Sequence, residues 1–82
     1  MHLFAAYLGG DPGPNRIGED HEIVFVVAAD ETAARRAAKG KWGGSGRPHV
    51  DALTRLDTID GYAVSLEQAG GGDTVETVGY NE

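Results

Sequence analysis

Ile23-Val24-Phe25-Val26-Val27-Ala28, followed after Ala29 by Asp30-Glu31-Thr32-Ala33-Ala34-Arg35-Arg36-Ala37-Ala38-Lys39-Gly40, is the stretch that decides the fold. The first run is almost wholly β-branched or aromatic and lacks polar alternation, which predicts a central strand covered on both faces. In the second, Asp30 offers a side-chain oxygen to cap a helix and Glu31 stands at the positive end of its dipole. Arg35, Arg36 and Lys39 gather toward the other end. Ala33, Ala34, Ala37 and Ala38 make a small-residue face that lets this helix approach a sheet closely, and Gly40 is placed to end it.

Toward the N-terminus, His2-Leu3-Phe4-Ala5-Ala6-Tyr7-Leu8 reads as another strand. It is expected to stop at Gly9-Gly10-Asp11-Pro12-Gly13-Pro14, a cluster of turn formers. An acidic knot, Glu19-Asp20-His21-Glu22, precedes the central strand. Beyond the helix, Lys41-Trp42 and a flexible Gly43-Gly44-Ser45-Gly46 lead through Arg47-Pro48 to a hairpin. A two-residue Asp60-Gly61 turn would pair Asp57 with Val64 and Arg55 with Leu66, mixing charged and apolar groups on one face. The preferred register is therefore a three-residue loop, Ile59-Asp60-Gly61. It sets Val50, Ala52, Thr54 and Leu56 on one face with Tyr62, Val64 and Leu66, and His49, Asp51, Leu53, Arg55 and Asp57 on the other. The expected order is β-β-α-β-β: an α+β domain over residues 1–67 with a small, mainly antiparallel sheet and one helix. Residues 68–82 form a Gly-rich tail, either a weak edge strand or disordered.

Composition bounds the rest. With 82 residues there is room for one domain, and much of the apolar 40% is alanine, so the core is thin. No cysteine is present to staple it. A net charge of −6 disfavours nucleic acid, and no apolar run approaches the roughly 20 residues of a membrane span. The chain reads as cytoplasmic, with neither nucleic acid nor membrane as partner. Along the first strand His2, Phe4, Ala6 and Leu8 point one way and Leu3, Ala5 and Tyr7 the other; along the second, Val24 and Val26 oppose Ile23, Phe25 and Val27. One alanine-faced helix covers only one of these two apolar faces. A second copy of the chain is the expected cover, in a homodimer built on sheet faces or edges.

Tyr7-Leu8-Gly9-Gly10, Asn15, Glu19 and His21 ahead of Phe25-Val26-Val27, Trp42-Gly43, His49-Val50-Asp51 and Asp60-Gly61-Tyr62 together resemble the bacterial domain of unknown function DUF1543. The resemblance runs from about residue 3 to residue 67 and rests on the order and spacing of several weak motifs. It implies that two such units pack together, because longer members carry the unit twice. The acidic knot departs from the family's usual His-Asp pair, reading His21-Glu22, and the Gly-rich tail has no family counterpart. The resemblance brings no established activity and hence no catalytic residue.

The chemistry-bearing candidates are Asn15, Glu19, His21, Trp42, His49 and Asp51, read as a ligand-binding set. His49 and Asp51, two apart on a strand, share a face; with His21 and the acids of the loop they offer imidazole and carboxylate donors of the kind that hold divalent cations. The blander account, a histidine bonded to its neighbouring aspartate among solvated acids, is favoured, so no metal and no cofactor is assigned. The glycines after the first strand are not a phosphate loop, because prolines and acids intervene before any helix. Trp42 beside Lys41 and Arg47 either stacks on a ligand ring or closes the helix end onto the core, and Arg55 belongs to a solvated network with Asp57 and Glu67. Ser45 and Ser65 lack the context of an activated nucleophile. The reading is a non-catalytic homodimeric module that binds a small molecule or a protein. The alternative is a small acid–base or metal-dependent enzyme completed across the dimer.

Overall fold

The computed structural model describes residues 1–11, 18 and 20–70, and the strand at 77–79. The elements are β1 (His2–Asp11), β2 (Asp20–Ala28), α1 (Glu31–Gly40), β3 (Ser45–Arg55), β4 (Thr58–Ile59), β5 (Tyr62–Ala63) and β6 (Thr77–Gly79). One antiparallel sheet has the order β3-β1-β2-β6, and β4-β5 form a separate two-stranded ribbon. This is the expected small antiparallel sheet with one helix, in the expected order, with a short C-terminal strand beside β2. No helix among the described residues is long and apolar enough to cross a membrane.

The helix forms as its residues dictate. Asp30 Oδ1 accepts from the Ala33 N–H at 2.8 Å, and the last turn closes through the Lys41 N–H on the Ala38 carbonyl at 3.0 Å. Ala34 and Ala38 are fully buried against Phe4, Ala6, Leu8, Val24, Val26 and Ala28. Ala33, Trp42, Val50 and Leu53 pack around that cluster, whereas Ala37 faces solvent. Small side chains on α1 let it sit low on the sheet, so Phe4 and Leu8 fill the space between.

Four expectations need correction. β1 does not stop at Gly9: it continues through Gly9, Gly10 and Asp11, pairing Gly9 with His21 and Gly10 with Asp20. Here the two glycines are strand residues that leave room for side chains lying over them. Second, β2 is not covered on both faces. Val24 and Val26 are buried, but Phe25 is 37% and Val27 47% exposed on the face away from α1.

Third, the faces of β3 do not follow simple alternation. Tyr7 pairs with Ala52 and Leu8 with Val50, which leaves Asp51 as the extra residue of a bulge. Past the bulge the parity switches, so Leu53 joins Val50 on the core side and parts from His49 and Asp51. Fourth, the hairpin turn is the two-residue one. Ile59 pairs with Tyr62, and Asp60 and Gly61 both take positive φ, 53° and 84°, as a type I′ turn requires. The disfavoured register is accommodated because β3 ends at Arg55. The Leu56 N–H donates to the Leu3 carbonyl at 2.8 Å, and the ribbon beyond it need not keep the faces of β3. Asp57 and Val64 do meet, through the Val64 N–H on the Asp57 carbonyl at 2.8 Å.

Candidate functional site

Gly9 stands between two histidines. Its register partners are His21 on β2 and His49 on β3, so the three residues form a row across three strands on the face away from α1. The bulge then turns Asp51 inward along that row. His49 Nε2 lies 3.0 Å from Asp51 Oδ1, close enough to pair with it when the ring is protonated. His21 Nε2 lies 3.9 Å from Asp51 Oδ2, near enough for ion pairing when the ring is protonated and too far for a direct hydrogen bond. One carboxylate thus faces two imidazoles, one through each oxygen.

A Cβ built on Gly9 would lie 2.8 Å from Asp51 Oδ2, 3.0 Å from His49 Nε2 and 3.2 Å from His21 Cδ2. The missing side chain is the space in which the three groups converge. Tyr7, two residues before Gly9 on the same face, stacks on His21 with ring centroids 5.2 Å apart and planes 4° from parallel. That contact fixes the imidazole plane against the sheet. His21 and Asp51 are about one-third exposed and His49 about half, so the cluster is open to solvent and to a ligand. Among the described residues, no three His, Cys, Asp or Glu side chains are arranged to hold a metal ion as they stand.

Of the candidate residues, His21, His49 and Asp51 come together, although 27 positions and the helix separate His21 from His49 along the chain. Trp42 lies on the opposite face of the sheet. Its ring fills the place of a Cβ on Gly10, 2.8 Å from Cζ2, and its Nε1 donates to the Ser45 carbonyl at 3.1 Å. It packs on the core and closes the helix end, and does not face the histidines. Asn15 and Glu19 lie outside the described residues. Glu22 has an architectural role, accepting the Gly43 N–H at 3.1 Å and so tying the start of the β3 approach to β2. Arg55 Nε pairs with both oxygens of Asp57, at 2.9 and 2.8 Å. Sequence reasoning missed Tyr7 and Gly9. The available signal was a glycine continuing an apolar strand, which marks a close approach by another group.

The fold and site together define a class: a small antiparallel sheet backed by one alanine-faced helix, with a His-Asp-His row on its uncovered face. A family model for the Domain of Unknown Function DUF1543 matches residues 16–66, more than half of the chain, and the protein belongs to that family. No curated protein and no solved structure matches it.

Proposed function

We propose that this chain is a non-catalytic, homodimeric binding module of the cytoplasm whose ligand contacts the His21, Asp51 and His49 row over Gly9. The observation that carries the reading is the convergence of these three side chains on the notch above Gly9, beside a sheet face left apolar. The row offers hydrogen-bond donors and acceptors at one end, and Leu3, Ala5, Tyr7, Ile23, Phe25 and Val27 offer apolar area along the rest of the same face. A few convergent polar groups beside apolar surface are the ordinary make-up of a recognition site. Self-association follows from the apolar area, because a chain this small gains stability by hiding more of it.

The second reading is an acid–base or metal-dependent enzyme, favoured by the 3.0 Å approach of Asp51 Oδ1 to His49 Nε2. Protein purified without a His tag, in wild-type form and as the His49→Ala, Asp51→Ala double variant, separates the two. Metal analysis that finds no bound ion, together with small-molecule or protein binding lost in the folded double variant, supports the module. Stoichiometric metal in the wild type that disappears in the variant supports the enzyme. Light scattering at micromolar concentration tests the dimer, and a mass of 8.6 kDa for the wild type removes it.

A further inference from the structure

We infer that Asp60 is a site of spontaneous covalent rearrangement in the folded protein: its side chain closes on the Gly61 nitrogen to a cyclic imide, and reopening of that ring leaves an isoaspartyl linkage in the hairpin turn. The inference stands apart from the ligand-binding and homodimer readings. Sequence and place in the fold both single this residue out. Of the seven aspartates, Asp60 alone precedes glycine, the residue that hinders an approaching carboxyl group least. Pro12, after Asp11, has no N–H to give up. Thr58, after Asp57, is β-branched, and the Asp57 carboxylate is held by Arg55. Asp30 is tied to the helix by the Ala33 N–H, and Asp51 lies within β3 beside two imidazoles. Asp60 carries no such restraint. It is exposed, its carboxylate makes no hydrogen bond or ion pair among the described residues, and a Cβ built on Gly61 would meet nothing within 4 Å.

The chemistry needs only water. The Gly61 nitrogen attacks Asp60 Cγ, a C–N bond forms, and the carboxyl hydroxyl leaves as water with the amide proton, closing a five-membered imide. Water then adds to one of the two ring carbonyls. Opening on one side restores aspartate; opening on the other leaves the chain running through Cβ and Cγ, with the α-carboxylate free. The turn as it stands holds this back. In a type I′ turn, Asp60 at φ 53° has ψ of about +30°, which carries the Gly61 nitrogen to the side of the carbonyl carbon away from Cβ. Closure therefore waits on opening of the turn, and little resists that. β4 and β5 are two residues each, joined by the Thr58–Ala63 and Ile59–Tyr62 pairs, and neither packs on another strand or on the helix. A two-stranded ribbon by itself is marginal in water, and a unit with few buried contacts opens at far less than the global unfolding free energy. Ile59 and Tyr62, which flank the turn, are 47% and 78% exposed, so side-chain burial adds no lock. The imide thus forms in the folded chain at close to the rate of the unfolded one. Once formed, the isoaspartyl linkage adds a methylene to the main chain, one atom too many for a two-residue loop between Ile59 and Tyr62, while the sheet and helix keep their packing.

The test ages the full-length protein at neutral pH and body temperature, folded in buffer and, in parallel, unfolded in concentrated guanidinium chloride. Peptide mapping with electron-transfer fragmentation locates isoaspartate, and an isoaspartyl methyltransferase with labelled S-adenosylmethionine counts the new methyl-accepting carboxylates. The expected result is isoaspartate at position 60 in the folded chain, ahead of every other aspartate and within about tenfold of the unfolded rate, as a turn that opens at little cost allows. Circular dichroism of the aged protein keeps its helix and sheet signal. Asp60→Glu, whose closure needs a six-membered ring, loses the new methyl acceptor. A folded chain that converts more slowly than that tenfold limit overturns the inference, because the turn is then locked. Earlier conversion at another aspartate, or none at position 60 in either form, overturns it as well.

Discussion

The two faces of the β1–β2 ribbon are built from similar residues and end in different surroundings. Phe4, Ala6, Leu8, Val24 and Val26 lie under α1 and are almost fully buried, while Leu3, Ala5, Tyr7 and Ile23 on the reverse are half-buried and Phe25 and Val27 open to solvent. Hydrophobicity alone does not decide which face becomes the core. The alanine stripe of α1 does, since its small side chains admit Phe4 and Leu8 on one side only. What the sheet buries under its own helix and what it leaves open to solvent are separated by one pleat.

The sharpest way to break this comparison is to truncate one phenylalanine on each face. Phe4→Ala empties a closed space and costs about 3–5 kcal/mol of unfolding free energy, read by urea denaturation. Phe25→Ala, already 37% exposed, costs under about 1 kcal/mol at dilutions where the chain is monomeric. In the proposed homodimer its cost grows with concentration, because a folded dimer gains stability by mass action and the variant would lose part of it. Equal costs for the two at every dilution would mean that the chain roofs both faces by itself.

The glycine pair sharpens the contrast at a finer scale, since Gly9 and Gly10 are neighbours facing opposite sides. A Cβ on Gly10 meets the packed ring of Trp42 at 2.8 Å and the Pro48 backbone at 3.3 Å, neither of which yields easily. Gly10→Ala therefore costs about 1–3 kcal/mol through overpacking. A Cβ on Gly9 meets the ends of Asp51 and His49, which swing away into solvent, and the His21 ring edge at 3.2 Å, which yields slightly. Gly9→Ala is expected to leave the melting temperature nearly unchanged and to disperse the cluster, seen as altered ring resonances of both histidines in NMR spectra. Unaltered resonances in that variant would show that the histidines do not meet over Gly9.

Much of this arrangement was legible from the residues. The Asp30 cap, the alanine face, the opposed faces of β1 and β2 and the excess of apolar sheet all follow from periodicity and side-chain chemistry. For β3 and the hairpin the illegible part has one cause, which is that alternation holds only while a strand is regular. The bulge at Asp51 switches the faces of β3 and so moves Leu53 into the core. The break after Arg55 frees the hairpin to adopt the Asp60-Gly61 turn that strict alternation rejects. Gly9 and Gly10 carry the signature of a turn, yet only the side chains above them explain why they are there. Convergence of His21 with His49 and Asp51 needs β1 to lie between β2 and β3, a topological fact that no local spacing encodes.

The helix cap is a smaller lever on the same comparison. Asp30→Ala removes the acceptor of the Ala33 N–H and costs about 1 kcal/mol, lowering the melting temperature by several degrees for a chain of this size. Because α1 touches only the covered face, the loss appears as stability and leaves the open face of the sheet unchanged.

The smallest expected effect concerns the turn that sets the hairpin. Asp60 is the one non-glycine residue at positive φ among the described residues, held at 53° beside Gly61 at 84°. Asparagine tolerates that conformation at least as well as aspartate and is favoured at this position of a type I′ turn, so Asp60→Asn stabilises the ribbon by a few tenths of a kcal/mol. Gly61→Ala forces a methyl group into the left-handed region and costs about 1 kcal/mol, although nothing stands near enough to clash with the added carbon. Since the ribbon packs on no other element of its own chain, both changes should be nearly silent in the unfolding of the sheet. They should register instead in hydrogen exchange of the Tyr62 and Val64 amides, slower in Asp60→Asn and faster in Gly61→Ala. A Gly61→Ala variant that unfolds the whole domain early would mean that the hairpin is integral to the core and not an arm beside it.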